Sequence, residues 1–412
     1  MVYQGRTCAI AAISGLEASA VINDSVSPAP TGKSEAFHAT ISWLESNVSR
    51  AARWRSENGV AAPTRTVIAD DKTTADIAYR LACEGTALLW RGDFQNARQL
   101  MLAMARRIDK QAARRTVELS TLTPKEIFHR GRQQQARRAR LLGMLLLQFD
   151  ADHQLPLRRA PDVRAACTEA FGNASESYVM SLRELLGAIG AHEWRKNGVQ
   201  VAALGAKIHP HYGVFAPIRN EYLDLIVNAP LPSTTLAFDI GTGTGVLAAI
   251  LARRGVASVV ATDLDARATA CAQENIERLG IKEQVSLLQT DLFPPHRAPL
   301  IVCNPPWLPA LPSSRLEQAV YDPDSRMLRG FLSGLAAHLE ADGEGWLILS
   351  DLAEHLGLRS RDDLLAWIAG GGLQVIGRID IAPKHPRTHD ATDPLHAARA
   401  AEITSLWRLG RS

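Results

Sequence analysis

The sequence predicts an α/β fold in which a doubly wound, mostly parallel sheet occupies the second half of the chain. Two observations predict it: apolar runs of strand length alternate with helical patterns after about residue 200, and a glycine-rich turn follows the first of these runs. No strand alternation stands out before residue 199, so the preceding half is predicted to be a mostly helical N-terminal domain. The 412-residue chain is long enough for two such domains.

The N-terminal half divides by composition into a leader and a helical domain. Residues 1–35 are rich in Ala, Ser, Pro and Gly, which predicts a mobile leader because they bury too little apolar surface to offset the entropy of ordering. Residues 36–200 are predicted to form a mostly helical, basic domain that recognises the substrate. Helical apolar spacing or capping signals occur at 35–58, 77–83, 94–107, 123–147, 160–171 and 175–194.

The helical half carries a strongly basic segment. Between Arg106 and Arg140 the sequence has eleven Lys or Arg residues and three acids. One interpretation is a surface that follows the phosphates of RNA. The other is a solvated helix face, which is the usual role of charge runs.

Cysteine and histidine usage gives no indication of a metal site or a disulfide framework. The five cysteines are scattered without a CxxC pair, which favours reduced thiols: Cys8, Cys83, Cys167, Cys271 and Cys303. His209 and His211 suit either a metal site or a turn, and the missing cluster of acids or cysteines favours the turn. No apolar run reaches membrane-spanning length and no signal-peptide pattern opens the chain, so we expect a cytoplasmic protein.

Residues 201–412 are predicted to form the sheet domain. Strands are expected near 235–239, 257–263, 285–290, 299–303, 345–350, 373–381 and 402–409, and helices near 246–254, 266–279, 326–340 and 355–369. Only a loop (382–401) separates the last two strands, so they should pair antiparallel. Ligands bind where the carboxyl ends of such strands converge. The segment Lys207–Pro217, rich in aromatics and proline, is expected to lie over that site as an ordered loop.

A glycine-rich turn joins the first strand of this domain to a helix. It consists of Gly241, Thr242, Gly243, Thr244 and Gly245, with Asp239 just before it. The glycines let the backbone turn tightly and approach a ligand, and the threonines keep the turn polar. The spacing is G-x-G-x-G, which differs from the G-x-G-x-x-G that binds a pyrophosphate.

Acidic residues end the next two strands. Asp263, followed by Leu264, suits hydrogen bonds to ribose hydroxyls, as in dinucleotide sites. Asp291 suits an adenine amino group, with Leu292 against the ring. Any one such acid can instead be a helix N-cap, which is our prediction for Asp265.

The run Asn304, Pro305, Pro306 and Trp307 follows a fourth apolar strand. The prolines hold the backbone extended and leave carbonyls without local donors. The Asn304 side-chain oxygen and the Pro305 carbonyl can then both accept hydrogens from one planar NH2 group and direct its lone pair at an electrophile. Trp307 offers a flat face for stacking that group. The alternative is a proline-rich turn with a core Trp.

These motifs resemble those of class I S-adenosylmethionine-dependent methyltransferases over about residues 207–410. The resemblance implies a Rossmann-like, seven-stranded methyltransferase sheet with an antiparallel final hairpin. It also implies S-adenosyl-L-methionine lying across the turn 241–245, held by Asp239, Asp263 and Asp291, with Asn304 at both the cofactor and the acceptor. The Asn-Pro-Pro-Trp run resembles the Asn-Pro-Pro-aromatic motif of amino-group methyltransferases. Those enzymes act on base amino groups of nucleic acids or on glutamine amides of translation factors.

Two downstream runs, Tyr321–Leu328 and Asp342–Leu349, are similar to release-factor glutamine methyltransferases and small-domain ribosomal RNA methyltransferases. The chain departs from the glutamine enzymes in having Trp307 for Tyr or Phe, Ser350-Asp351 after the fifth strand, and a longer N-terminal half.

Taken together, the sequence predicts an N-methyltransferase acting on a macromolecule. A ribosomal or transfer RNA base is favoured over a glutamine amide, and a non-catalytic cofactor- or RNA-binding protein is the alternative of another class. The loop 382–401, with Lys384, His385 and Arg387, is a second expected contact with the substrate.

Overall fold

The computed structural model describes residues 39–114, 121–218, 221–383 and 390–412. The predicted leader lies outside these ranges, as do Lys384, His385 and Arg387. The described residues form two compact units. The first contains 39–114, 128–161 and 175–184, and the second contains 121–127, 162–174 and the described residues from 185 onward.

The first unit is built on a six-stranded sheet, so the prediction of a mostly helical N-terminal half is wrong. The strand order is β1-β2-β6-β5-β4-β3, with β3, β4 and β5 parallel and β6 antiparallel to β5. These strands are β1 (Thr40–Glu45), β2 (Val48–Trp54), β3 (Arg65–Ala69), β4 (Thr86–Trp90), β5 (Leu145–Phe149) and β6 (Tyr178–Ser181).

The predicted helix over 35–58 is in its described part a β-hairpin. β1 and β2 pair antiparallel, and the turn between them places Ser46 and Asn47 at φ 51° and 61°. Left-handed residues at both positions suit a tight hairpin turn, because such a turn matches the twist of the strands. Ile41 and Trp43 are buried on one face of β1, so burial follows the period of two that is typical of a strand. In the sequence, this period was obscured because other apolar residues of the segment have helical spacing.

The structure describes five α-helices in this part of the chain, and each overlaps a predicted helical range, although the ranges 123–147 and 175–194 also took in part of β5 and all of β6. They are α1 (Ala75–Cys83), α2 (Phe94–Arg114), α3 (Pro124–Leu142), α4 (Arg164–Phe171) and α5 (Leu182–Asn197). α3 begins where the capping signals at residue 123 predicted, and a capping box forms there: the Thr123 hydroxyl accepts from the Glu126 N–H, and the Glu126 carboxylate accepts from the Thr123 N–H. This arrangement satisfies two donors at the start of the helix.

The second unit contains the predicted seven-stranded sheet. Its order is β11-β10-β9-β12-β13-β15-β14, and β15 runs antiparallel to both β13 and β14, which confirms the predicted antiparallel final pairing. The strands are β9 (Leu236–Ile240), β10 (Ser258–Asp263), β11 (Val285–Gln289), β12 (Ala298–Cys303), β13 (Leu339–Ser350), β14 (Leu373–Ile381) and β15 (Thr404–Arg411).

Helices cover both faces of this sheet. They are α6 (Glu221–Asn228), α7 (Val246–Arg253), α8 (Ala266–Arg278), α9 (Arg326–His338), α10 (Leu352–His355), α11 (Arg361–Gly370) and α12 (His396–Ala401). Buried residues of α6, α7 and α8 form one apolar cluster with the sheet, and those of α9 and α11 form the other. Successive strand residues alternate between the clusters, as with Ala237 and Phe238, because strand side chains point to opposite faces.

A short hairpin, β7 (Val199–Val201) and β8 (Ala206–Ile208), precedes the sheet.

Within the ranges the structure describes, no helix combines the length and apolarity needed to cross a membrane. The same ranges hold no group of three His, Cys, Asp or Glu side chains suited to a metal ion.

Candidate active site

The sheet brings the predicted site residues to one edge. β9 lies between β10 and β12, all three parallel, with Asp239 opposite Ala261 on one side and Val302 on the other. The chain segments that follow the three strands therefore leave the sheet at the same end. They are the glycine turn, Asp263 with its loop, and the Asn-Pro-Pro-Trp run.

The glycine turn, residues 241–245, requires glycine for its conformation. Gly241, Gly243 and Gly245 have φ of 73°, 56° and 82°, in the left-handed region that other residues disfavour. The N–H groups of Gly241 and Thr242 both donate to the Thr262 carbonyl, at 2.9 and 2.8 Å, which ties the turn to β10. The turn is thus held by its neighbouring strand.

Asp239 is buried beneath this turn. Its Oδ2 accepts from the Thr242 hydroxyl at 2.6 Å and from the Ala248 N–H at 3.0 Å. Its Oδ1 is buried and has no hydrogen-bond partner among the described residues. Burial raises the pKa of Asp239 to about 6, with the nearby Asp263 adding to the shift. This carboxylate both supports the turn and keeps one oxygen unsatisfied.

Asp263 is half-buried and contacts the turn directly. One carboxylate oxygen accepts from the Gly243 N–H at 3.0 Å, and the other accepts from the Asp265 N–H at 2.9 Å. Burial raises the pKa of Asp263. Asp265 accepts from the Arg267 N–H at the start of α8, so its predicted N-cap role is confirmed. The Asp263 carboxylate is therefore oriented by the backbone on both sides.

The third acidic strand end is more open. Asp291 is exposed and lies 3.3 Å from the Arg326 guanidinium. Leu292 has φ of 64°, and its carbonyl accepts from the Thr262 hydroxyl at 2.6 Å, which fixes the backbone in this unfavourable conformation. Leu264 is 59% exposed. Leu264 thus lies outside the two core clusters, and Leu292 packs at the margin of one of them.

Trp307 and Asn304 contact each other. The Trp307 indole N–H donates to the Asn304 Oδ1 at 2.9 Å, and Tyr222 hydrogen-bonds to the Asn304 side chain as well. The Tyr222 and Trp307 rings meet edge to face, with centroids 6.3 Å apart. Two aromatic side chains thus hold the Asn304 amide.

Two prolines lie between Asn304 and Trp307 in the chain. Pro305 is buried and Pro306 half-buried, and neither belongs to a helix or strand. Among the described residues no group donates a hydrogen bond to the Pro305 carbonyl. An acceptor without a protein donor thus follows the fixed Asn304 amide directly in the chain.

Tyr222 and Asn275 are site residues that the sequence did not reveal. Asn275 is fully buried on α8; it accepts from the His209 N–H at 2.7 Å and donates to the Thr244 carbonyl at 3.1 Å. It thereby ties the loop that carries His209 to the glycine turn. Tyr222 lies among the apolar residues of α6. A buried polar residue on an apolar helix face was the available signal for Asn275, whereas Tyr222 fits an ordinary core pattern.

The segment Lys207–Pro217, predicted to be a loop, begins in β8 and continues outside any helix or strand. His211 Nε2 lies 2.7 Å from Glu274, which also pairs with Arg195, and His209 Nδ1 lies 2.6 Å from the Arg195 carbonyl. Burial lowers the pKa of His211. Both histidines therefore have protein partners on the neighbouring helices α5 and α8.

The run Tyr321–Leu328 positions α9 beside the Asn-Pro-Pro-Trp run. Asp322 donates its N–H to the Leu308 carbonyl at 2.9 Å, and its carboxylate accepts from the N–H groups of Met327 and Leu328. Burial raises the pKa of Asp322. Asp322 thus caps α9 and holds the segment that follows Trp307.

Comparison with known proteins gives partial matches in this half of the chain. Residues 223–305 match the family model for ribosomal protein L11 methyltransferase (PrmA). A release factor glutamine methyltransferase from Cereibacter sphaeroides is 34% identical over 30% of this chain and 50% of its own length. A tRNA1(Val) (adenine(37)-N6)-methyltransferase from Bacteroides thetaiotaomicron is 31% identical over 29% and 53%. The chain spans about half the length of these two relatives.

A tRNA1(Val) (adenine(37)-N6)-methyltransferase from Shewanella loihica is 28% identical over 42% of this chain and 74% of its own length. Among solved structures, a ribosomal protein L11 methylase from Lactobacillus delbrueckii subsp. bulgaricus is 20% identical over 48% of this chain and 83% of that chain, with a TM-score of 0.34. By its sheet order, its glycine turn and its sequence relatives, the part of the chain that carries the seven-stranded sheet is similar to the class I S-adenosylmethionine-dependent methyltransferases.

Proposed function

We propose that the protein is an S-adenosylmethionine-dependent N-methyltransferase whose acceptor is the amino group of an RNA base. The observation that carries the proposal is the pair of acceptors at the end of β12. The Asn304 amide is fixed by Trp307 and Tyr222, and the adjoining Pro305 carbonyl has no donor among the described residues. Two such oxygens suit one planar NH2 group.

The residues around the glycine turn fit the proposed cofactor. The buried, unsatisfied Oδ1 of Asp239 favours a cationic or hydrogen-donating group above the turn, because a buried acceptor without a partner is costly. The three glycines allow a ligand to approach the backbone closely. Asp263 would hold ribose hydroxyls, and Leu264, Asp291 and Leu292 would contact the base.

When bound, S-adenosyl-L-methionine supplies a methyl group on a sulfonium and needs no further activation. The protein's part is then positioning. Asn304 and Pro305 would accept both hydrogens of the substrate NH2 group, which aims its lone pair along one direction. The Trp307 N–H occupies one lone pair of the Asn304 oxygen and keeps the amide from rotating. The Trp307 ring would also stack on the planar group of the substrate, beside Pro306.

Two classes of substrate present a planar NH2 group, and we favour RNA. The curated relatives include enzymes named for tRNA adenine and others named for a release factor glutamine. Trp307 is a large stacking surface, which suits a base better than an amide. The basic segment Arg106–Arg140 also suits a polyanion. The cytoplasmic location remains a prediction.

The test is transfer of tritium-labelled methyl groups into a cell extract, with the purified protein, before and after RNase or protease treatment. We expect label that RNase removes. In Asn304→Ala, transfer should fall about a hundredfold, because loss of one aligned contact misplaces the acceptor. Isothermal titration should still detect cofactor binding. Trp307→Phe keeps a ring but loses the N–H, so its transfer should be intermediate.

The matched control is Asn228→Ala, an exposed asparagine whose side chain bonds only to the Asp224 carbonyl among the described residues. Its transfer should equal that of the unaltered protein. Label that protease removes and RNase spares would assign the glutamine alternative. Undiminished transfer by Asn304→Ala would exclude the alignment mechanism. Cofactor or RNA binding without any transfer would indicate the non-catalytic alternative.

A further inference from the structure

The first unit has a cleft between α1 and α2 whose walls are mostly cationic. Its volume is about 410 Å³, and it is lined by Asp76, Ala103, Arg106, Arg107, Lys110 and Gln111. The other α2 members follow Ala103 by three, four, seven and eight residues, so they form a single stripe along the helix. Three cations against one acid give this cleft a net positive charge.

Two other cations of the basic segment are engaged in contacts within the protein. Arg132 is 4% exposed, with its guanidinium 5.9 Å from the centre of the Phe128 ring. Arg138 pairs with Asp109 at 2.9 Å. These two therefore stabilise the first unit and are poor ligands for an outside anion. The basic segment is not uniformly a binding surface.

The cleft differs because two of its cations are available to a ligand. Arg106 and Lys110 are exposed, and no ion pair joins either of them to a residue that the structure describes. Arg107 forms an ion pair with Asp76 of α1, and this pair fixes the wall of the cleft where the two helices meet. A helix rises about 1.5 Å per residue, so Arg106 and Lys110 lie about 6 Å apart along α2. That separation is comparable to the distance between successive phosphates of an extended single strand.

We propose that this cleft binds the phosphate backbone of single-stranded RNA through Arg106 and Lys110. The inference rests on the proposed function, because it assigns part of the binding of that substrate to the first unit. Arg107 and Gln111 provide further donors at its wall. Contacts of this kind add affinity and orientation but do not read sequence.

The test is fluorescence anisotropy with a fluorescein-labelled, mixed-sequence single-stranded RNA and the full chain, without cofactor. In the double variant R106Q/K110Q, affinity at low salt should fall about tenfold or more. The slope of log affinity against log salt should fall by about 1.4, since each phosphate contact with a single strand contributes about 0.7. The control double variant R50Q/K282Q removes two exposed cations outside the cleft and should bind as the unaltered protein does.

Circular dichroism melts of both double variants show whether they fold, and we expect no difference because the substituted side chains are exposed. Unchanged RNA affinity in R106Q/K110Q, with RNA still methylated, would overturn the cleft and leave the proposed function intact. RNA bound through the cleft while only protein is methylated would instead overturn the RNA acceptor. Displacement of RNA by poly-glutamate at equal charge would assign the cleft to an acidic protein and overturn the inference.

Discussion

At the scale of single residues, the most informative side chain is Asp239. It is fully buried, and one of its oxygens has no partner among the described residues. Burial raises its pKa to about 6, so the folded protein without cofactor favours the protonated form below that pH. The stabilisation from this group is present below the unfolded pKa, near 4, and is lost as the pH rises through about 6.

Asp239→Asn should remove this dependence. Asn retains an oxygen for the Thr242 hydroxyl and the Ala248 N–H but does not titrate in this range. Between about pH 4 and 6, the free energy of unfolding of the unaltered protein should fall by about 3 kcal/mol relative to that of the variant. Urea unfolding at several pH values measures the difference. Parallel curves for the two proteins would show that Asp239 is ionised throughout.

The same substitution gives a signature in cofactor binding. A cationic ligand above the turn favours the ionised form of Asp239, so its affinity should fall about tenfold for each pH unit below about 6. The variant should bind more weakly above that pH and lose this dependence. Isothermal titration across this range provides the measurement. An identical pH profile in both proteins would place the ligand's charge elsewhere.

The chemistry of the site residues could be predicted from the sequence, but their hydrogen-bond partners could not. Acid, glycine and amide side chains at strand ends indicate their chemistry by type and position. The hydrogen bond from Trp307 to Asn304 depends on the rotamer of the indole. The contact with Tyr222 depends on how α6 packs on the sheet. Long-range packing of this kind leaves no local pattern in the chain.

At the scale of elements, α9 approaches the segment after β11 through glycines. A Cβ at Gly334 would lie 2.6 Å from Phe293 Cε2, closer than side chains tolerate. The Phe293 ring is stacked on His338 at 4.3 Å and on Phe331 at 5.8 Å, so it has little room to shift. Gly334 thus allows a packing distance that any larger residue would change.

Gly334→Ala should therefore destabilise the protein by about 1 to 3 kcal/mol, the usual cost of overpacking. The control is Gly190→Ala on an exposed position of α5, where an added Cβ meets nothing within 4 Å. That change should stabilise by about 1 kcal/mol, because Ala is the better helix former. Denaturant unfolding measures both changes. Equal stability of the two variants would mean that Phe293 moves freely.

Two of the strands that the sequence concealed, β4 and β5, are buried on both faces. Every residue of β4 is buried, as are four of the five residues of β5, and each strand contains an uninterrupted apolar run, 87–90 in β4 and 145–147 in β5. Such runs lack the period of two and can be taken for the ends of helices. In the second unit the glycine turn and the acidic strand ends marked the strand boundaries, and the predicted strands there agree with the structure. Turn residues, more than apolar periodicity, therefore made the strands of the second unit predictable.

At the scale of the whole molecule, the two units are interleaved along the chain. Residues 162–174 belong to the second unit, and the chain then contributes residues 175–184 to the first. That return supplies β6, which pairs with β2 on one side and β5 on the other. The predicted boundary near residue 200 remains a proposal, but the first unit cannot have a complete sheet without β6.

This arrangement predicts different behaviour for two fragments. Residues 39–184 contain all six strands and should show a cooperative thermal transition by circular dichroism. Residues 39–161 lack β6, whose four residues are all buried, so no strand would bridge β2 and β5 by hydrogen bonds, although β1 also packs against β3. Such a fragment exposes two new strand edges and loses the core between them. A cooperative transition in the shorter fragment at the temperature of the longer one would show that β6 is dispensable to the first unit.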